Sequence, residues 1–215
     1  MTAPIEIIRR TGIVPVIAIE RAQDAVPLAD ALLEGGLPVA EITFRTAAAA
    51  DVIAAMHEKR PELCVGAGTI LDQASLAAAI KAGAAYGLAP GFDAAIVAAA
   101  KAAGFPFAPG IMTPSDLTAA AAAGCRLVKF FPAGPAGGPG FLQAISAPFA
   151  HLGISVIPTG GVTEENLADW LKLKAVVAAG GTWVARTEDI TAGNFAEITR
   201  RARSAVAAVA RARGN

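Results

Sequence analysis

An amine, a carboxylate and a guanidinium stand in stretches of this chain that are otherwise apolar. Lys129 lies in CRLVKFF, directly before Phe130 and Phe131, and Glu41 lies in VAEITF beside Val39, Ala40 and Ile42. Such charges are seldom fully buried unless something pairs with them or uses them. An apolar setting disfavours an ammonium relative to the neutral amine. A neutral lysine amine attacks a ketone and forms a Schiff base. The iminium is an electron sink, so a C–C bond β to it can break. That cleavage needs a proton taken from the leaving hydroxyl and a proton later returned to the enamine. Glu41 is the candidate carrier, directly or through water. Glu41, Thr43 and Arg45 alternate by two and share one face of a strand, with Ile42 and Phe44 on the other. Arg45 offers a bidentate fork to a substrate carboxylate, and Phe131 offers an apolar wall. The competing reading is a purely structural ion pair of Glu41 with Lys129 or Arg45. Desolvation can exceed the attraction in such a pair, which makes it weak evidence for stability.

Residues 88 positions apart meet only on a scaffold that brings distant strands together. Short β-rich runs cover 13–19, 39–44, 64–70, 84–90, 105–111, 125–131, 154–160 and 175–181. Alanine-rich segments with helical spacing follow at 24–34, 47–59, 72–82, 93–103, 115–123, 141–149, 164–173 and 194–213. Strands alternating with helices of this length imply βαβ units and a parallel sheet. Eight such units predict a closed (β/α)8 barrel of TIM type, one domain over residues 1–215, with a short helix over 2–10 plugging its base. A doubly wound sheet is disfavoured, because ERAQDAVP after the first run lacks the glycine phosphate fingerprint. Asp24, Asp72, Asp93, Ser115 and Thr163 are the expected helix N-caps. Glycines at 35–36, 83, 104 and 124 are the expected stops.

The 215 residues are 54% hydrophobic and 17% charged, which supplies a core and excludes a disordered chain. Lys plus Arg and Asp plus Glu both number 18, so no global field holds nucleic acid or an anionic membrane. An anion must be held by a local site. Cys64 and Cys125 each open a strand-like run and read as buried, reduced core residues. MTAPIEIIRR has no signal-peptide layout. Residues 131–150 carry no charge, but their Gly/Pro content rules out a spanning helix. The chain reads as soluble and cytoplasmic. His57 and His151 are too far apart in sequence to make a metal set and read as surface residues. Trp170 and Trp183 read as packing residues.

Barrel chemistry occurs at the C-terminal ends of the strands. The polar residues and glycines there are Gly66, Gly68 and Thr69, then Pro90-Gly91, Thr113, Thr159-Gly160-Gly161 and Gly180-Gly181-Thr182. Glycine pairs let backbone N–H groups approach an anion closely. Pairs after the seventh and eighth strands fall where barrels bind phosphate, and Thr182 adds a hydroxyl donor.

With these residues in place, the chain resembles the 2-dehydro-3-deoxy-6-phosphogluconate (KDPG) aldolases and their 4-hydroxy-2-oxoglutarate (KHG) relatives. These are class I aldolases, and KDPG cleavage belongs to the Entner–Doudoroff route. The resemblance is carried by VPVI (14–17), EITFRT (41–46), VGAGTI (65–70), APG (89–91), PGI (109–111), KFFPA (129–133), PTGGV (158–162) and GGTW (180–183). It implies a homotrimeric barrel without metal or cofactor, cleaving the phosphorylated 2-oxo acid to pyruvate and glyceraldehyde 3-phosphate. It implies Lys129 as the Schiff-base lysine and Glu41 as the general acid and base. Arg45, Thr69 and the Pro90 carbonyl region would hold the pyruvyl end, with Phe131 as the wall. Gly160, Gly161, Gly180, Gly181 and Thr182 would hold the phosphate, and Thr159 would contact the sugar hydroxyls. The chain departs from the family pattern at Ala89, where serine is expected, at Thr182, and in the loop GPAGGPG, which lacks an acidic residue at its start. Galactonate-type substrates and 4-hydroxy-2-oxoglutarate share the pyruvyl half-site and stay open as alternatives. An isomerase on a phosphate-binding barrel and a non-catalytic sensor are the rivals outside the family.

Overall fold

The computed structural model describes residues 3–214. Helix α1 (Pro4–Thr11) starts with proline, tolerated there because the first N–H groups lack partners anyway. It ends at Gly12 in the left-handed region and buries Ile8. The expected helix over 2–10 is thus α1, with residue 2 outside the described residues. Strand β1 (Ile13–Ile17), β2 (Val39–Thr43) and β3 (Cys64–Gly68) are buried at every position. Such strands are covered on both faces, so they read as near-continuous apolar runs rather than alternating ones.

Helices α2 (Ala25–Glu34), α3 (Ala49–Lys59), α4 (Gln73–Lys81) and α5 (Ala94–Ala102) link β1 through β4 (Gly87–Leu88) to β5 (Phe107–Ala108). Then follow β6 (Gly110–Ile111), α6 (Pro114–Ala122), β7 (Leu127–Phe130), α7 (Gly138–Ser146), a 3-10 segment (Ala147–Leu152) and β8 (Ser155–Pro158). The chain closes with α8 (Leu167–Leu171), β9 (Ala179–Gly181), α9 (Thr187–Thr191) and α10 (Phe195–Arg213). All strand pairs are parallel, in one sheet ordered β5-β4-β3-β2-β1-β9 and a second ordered β6-β7-β8. Isolated parallel bridges, Val156 to Val176 and Thr159 to Gly180, run between the β8 region and the β9 region. Buried apolar residues from nearly every element form one hydrophobic cluster.

Several expected boundaries shift. The run 105–111 is divided at Pro109, which has no N–H for a ladder. The runs 84–90 and 175–181 keep regular pairing only at 87–88 and 179–181. Helix α7 starts three residues before 141, and α9 had no counterpart in the helical pattern. Asp72 and Asp93 cap α4 and α5 through their side chains as expected. Ser115 does not cap α6: Thr113 does, in a reciprocal box with Asp116. Asp24 makes no cap bond and instead accepts from Arg21 at 2.7 Å. Thr163 caps no helix directly. It exchanges hydrogen bonds with Asn166, the residue before α8. Both cysteines are free, but only Cys64 is buried; Cys125 is half-buried because it precedes β7 rather than joining it. His57 and His151 are exposed, and Trp170 is fully buried against Phe130. No helix among the described residues is long and apolar enough to cross a membrane.

Candidate active site

Lys129 on β7 and Glu41 on β2 belong to different sheets, yet the Lys129 Nζ donates to Glu41 Oε1 at 2.8 Å. Glu41 has no exposed surface and Lys129 only 4%. Glu41 Oε2 has no hydrogen-bond partner among the described residues. A buried carboxylate oxygen without a partner carries a large desolvation cost, so it marks a group kept available. Gly68 explains how the carboxylate fits. A Cβ there would lie 2.1 Å from Glu41 Oε1, so any larger residue would displace the acid. The ring of Phe131 sits with its centroid 5.9 Å from Lys129 Nζ and is partly exposed, an apolar cover above the amine.

Arg45 does not pair with Glu41. Its Nε donates to Thr43 Oγ1 at 3.1 Å, and Thr43 in turn donates to the Ile17 carbonyl at 2.9 Å. Thr43 is buried and Arg45 exposed, so a fixed hydroxyl orients a guanidinium whose other N–H groups stay available. Thr69 follows β3 with φ 60°, the left-handed region that a β-branched residue rarely occupies. Such strain persists where the surroundings over-determine it. Pro90 follows β4, and its carbonyl lies against Gly110, the register partner of Lys129. Thus Glu41, Lys129 and Phe131 meet, Pro90 abuts the strand that pairs with Lys129, and Thr69 and Arg45 follow β3 and β2.

The second group of predicted residues lies after β8 and on β9. The Ala133 N–H bonds to the Thr159 carbonyl at 2.8 Å, and that of Gly134 to the Gly160 carbonyl at 2.7 Å. The loop after Phe131 is therefore fastened to Thr159-Gly160-Gly161. Gly160 and Gly161 have φ of 89° and 80°, which their lack of a Cβ permits. Thr159 is buried, close against Gly180, and its Oγ1 has no partner among the described residues. Gly180 and Gly181 are buried, whereas Gly161 and Thr182 are exposed. A cleft of about 540 Å³ at this end is lined by Arg45, Thr182, Trp183, Arg186 and Glu188, among others; Lys129 and Glu41 do not line it.

Two residues of the site were not read as such from sequence. Thr43 shares a strand face with Glu41, but its anchoring of Arg45 needs the Ile17 carbonyl, which only the fold supplies. Tyr86 packs over Gly66 and donates to the Ala40 carbonyl at 2.9 Å, behind Glu41. Burial pushes its hydroxyl well above the ordinary value, with Cys64 and Glu41 adding to the effect, so it remains a donor. Among the described residues no group of three or more His, Cys, Asp or Glu is placed to hold a metal ion.

A parallel α/β fold that holds a shielded amine against a carboxylate is an arrangement suited to carbonyl chemistry. The family model for KDPG and KHG aldolases matches residues 5–201. The chain is 42% identical over 202 residues to the KHG/KDPG aldolase of Escherichia coli K12, covering 94% of each chain. It is 42% identical over 198 residues to the 2-dehydro-3-deoxy-phosphogluconate aldolase of Pseudomonas aeruginosa, covering 92% of this chain and 89% of that one. The KDPG aldolase of Legionella pneumophila was solved with pyruvate captured at low pH as a covalent carbinolamine intermediate. It superposes with a TM-score of 0.89 at 33% identity, covering 94% of this chain and 98% of that one. The chain belongs to the KDPG and KHG aldolase family.

Proposed function

We propose that this chain is a class I aldolase that cleaves KDPG to pyruvate and glyceraldehyde 3-phosphate through a Schiff base on Lys129. The observation that carries this reading is the 2.8 Å contact between Lys129 Nζ and Glu41 Oε1, buried, with Glu41 Oε2 unpartnered. Proton transfer across that contact turns an ammonium and a carboxylate into a neutral amine and a carboxylic acid. The amine adds to the C2 ketone and gives a carbinolamine. Glu41 returns the proton to the departing oxygen, and water leaves to form the imine. Glu41, again a carboxylate, takes the proton of the C4 hydroxyl. The C3–C4 bond breaks, its electrons pass into the iminium, and the aldehyde departs. Glu41 then protonates C3 of the enamine, and water releases pyruvate.

In this reading Arg45, Thr69 and the Pro90 carbonyl hold the pyruvyl end, and Phe131 screens the imine. Thr159 meets the sugar hydroxyls. Gly160, Gly161, Gly180, Gly181 and Thr182 receive the phosphate. The dual name of the Escherichia coli relative favours KHG as a second substrate at the same half-site. We also read the two sheets as one closed eight-stranded barrel in a single domain. Support comes from the bridges between the β8 and β9 regions and from β5 and β6 being one run parted at Pro109. The family resemblance supports a cytoplasmic homotrimer whose partners are small molecules rather than nucleic acid or membrane.

The test is intact-mass analysis after pyruvate plus borohydride, with peptide mapping. An adduct on the Lys129 peptide is expected, and Lys129→Ala should abolish it. Cleavage in that variant should fall by more than roughly 10⁴-fold, the scale of losing a covalent nucleophile. An adduct that persists in Lys129→Ala would assign the chemistry to another amine.

A further inference from the structure

We infer that Arg186 is a specificity-determining residue, a second cation that selects substrates with a phosphate at the end remote from the ketone. The inference rests on the aldolase reading above and adds a residue to it. The chain has no net charge, so each anionic end of a substrate is held by a local site, where a cation strengthens the hold. KDPG has two such ends, a carboxylate beside the ketone and a phosphate at the far carbon.

The cleft of about 540 Å³ holds two guanidiniums, Arg45 at the end of β2 and Arg186 beyond β9. Among the described residues Glu188 is the single carboxylate that lines it, which leaves an excess of one positive charge. Neither arginine makes an ion pair among the described residues. Arg45 is aimed by Thr43, as above. Arg186 makes no side-chain hydrogen bond at all among the described residues, yet its backbone is held at its carbonyl and through the residue that follows. Its carbonyl accepts from the Ile190 N–H at 3.1 Å, and the next residue, Thr187, donates through Oγ1 to the Ala18 carbonyl at 3.3 Å. An anchored backbone with an uncommitted planar fork suits recognition of a phosphate. Arg186 also shares the cleft with Thr182, whereas Thr69 and Pro90 of the pyruvyl group do not line it. With Arg45 assigned to the carboxylate, Arg186 is the cation left for the phosphate.

The experiment compares KDPG with its unphosphorylated counterpart, 2-dehydro-3-deoxygluconate, in wild type, Arg186→Ala and Arg186→Lys. Inorganic phosphate serves as a competitive inhibitor in the same assays. In Arg186→Ala the preference for KDPG over the unphosphorylated acid should fall by about tenfold to thirtyfold. That is the scale of one charge-assisted hydrogen bond. The loss should appear in KM rather than kcat, inhibition by phosphate should weaken in parallel, and Arg186→Lys should recover part of the preference. An unchanged preference, or equal losses on both substrates, in a variant with wild-type circular dichroism would overturn the inference. In that event the aldolase reading stands as long as wild type still traps pyruvate on Lys129. If wild type traps nothing, the aldolase reading fails and this inference with it.

Discussion

Two ion-pair regions of the molecule have nearly equal distances and opposite designs. The inner one is Lys129 with Glu41 at 2.8 Å. The outer one ties α10 to α9 and to the loop after β9: Arg201 meets Asp189 at 2.6 Å, Glu197 at 2.9 Å and the Trp183 carbonyl at 3.4 Å. In the outer region the carboxylates are covered by donors, since Glu197 also accepts two bonds from Arg200 at 2.7 Å each. In the inner region Glu41 accepts one bond, and its other oxygen has no partner among the described residues. A structural pair satisfies its charges, whereas a reactive pair keeps one side open for substrate. Desolvation makes that open side costly, so its retention points to chemistry rather than to stability.

The sharpest way to break this contrast is to neutralise the inner acid while keeping its shape. Glu41→Gln retains an acceptor for Lys129 but cannot carry a proton. Exchange of the pyruvate methyl protons into solvent should slow by about 10²- to 10⁴-fold, the range for a lost general base. Borohydride trapping should remain detectable. Normal exchange rates, followed by NMR, would return Glu41 to the structural reading.

The outer region should respond in the other currency. Arg201→Ala leaves Asp189 short of its main donor and removes a clamp on the Trp183 carbonyl. Stability should fall by about 2 kcal/mol, the scale of hydrogen bonds to a charged group, read as a drop of roughly 4–8 °C in Tm. Trapping on Lys129 should persist in the folded variant. Loss of trapping with an unchanged Tm would mean that the two regions are not separable.

The contrast was only half legible in the sequence. A charge inside an apolar strand is a local anomaly, so Lys129 and Glu41 could be singled out, and their partnership was one of two pairings considered. Alternating strands and helices gave the order of the elements for the same local reason. Geometry that depends on closure was hidden. Gly68 read as a strand-end glycine, but its reason is the Glu41 carboxylate, two residues off register on the neighbouring strand. Thr43 and Arg45 could be put on one face, yet the bond between them depends on Ile17. Arg186 gave no signal, because an exposed arginine before a five-residue helix resembles any solvated cation until the cleft beside it is seen. Ser115 is the cap that the helical run predicts, yet Thr113 caps α6 two residues earlier because the side chain of Asp116 completes the box.

The smallest effect should come from acid. The hydrogen bond from Arg200 holds the Glu197 carboxyl down to about 2 from its ordinary 4.5, opposed by desolvation and helped by the charges of Arg200 and Arg201 and the bond from Arg201. A depressed carboxylate contributes stability that is fully present above its unfolded value and lost as pH falls through the folded one. The window therefore runs from about 4.5 down to about 2. Across it the unfolded chain takes up the proton first, and the outer cluster gives up its advantage. Because the group is near solvent, salt should flatten the slope. Glu197→Gln should remove this part of the pH dependence in a thermal melt series while leaving trapping at neutral pH intact. A slope unchanged by the substitution would mean that the acid sensitivity arises elsewhere, and that the outer pairs hold geometry without adding stability.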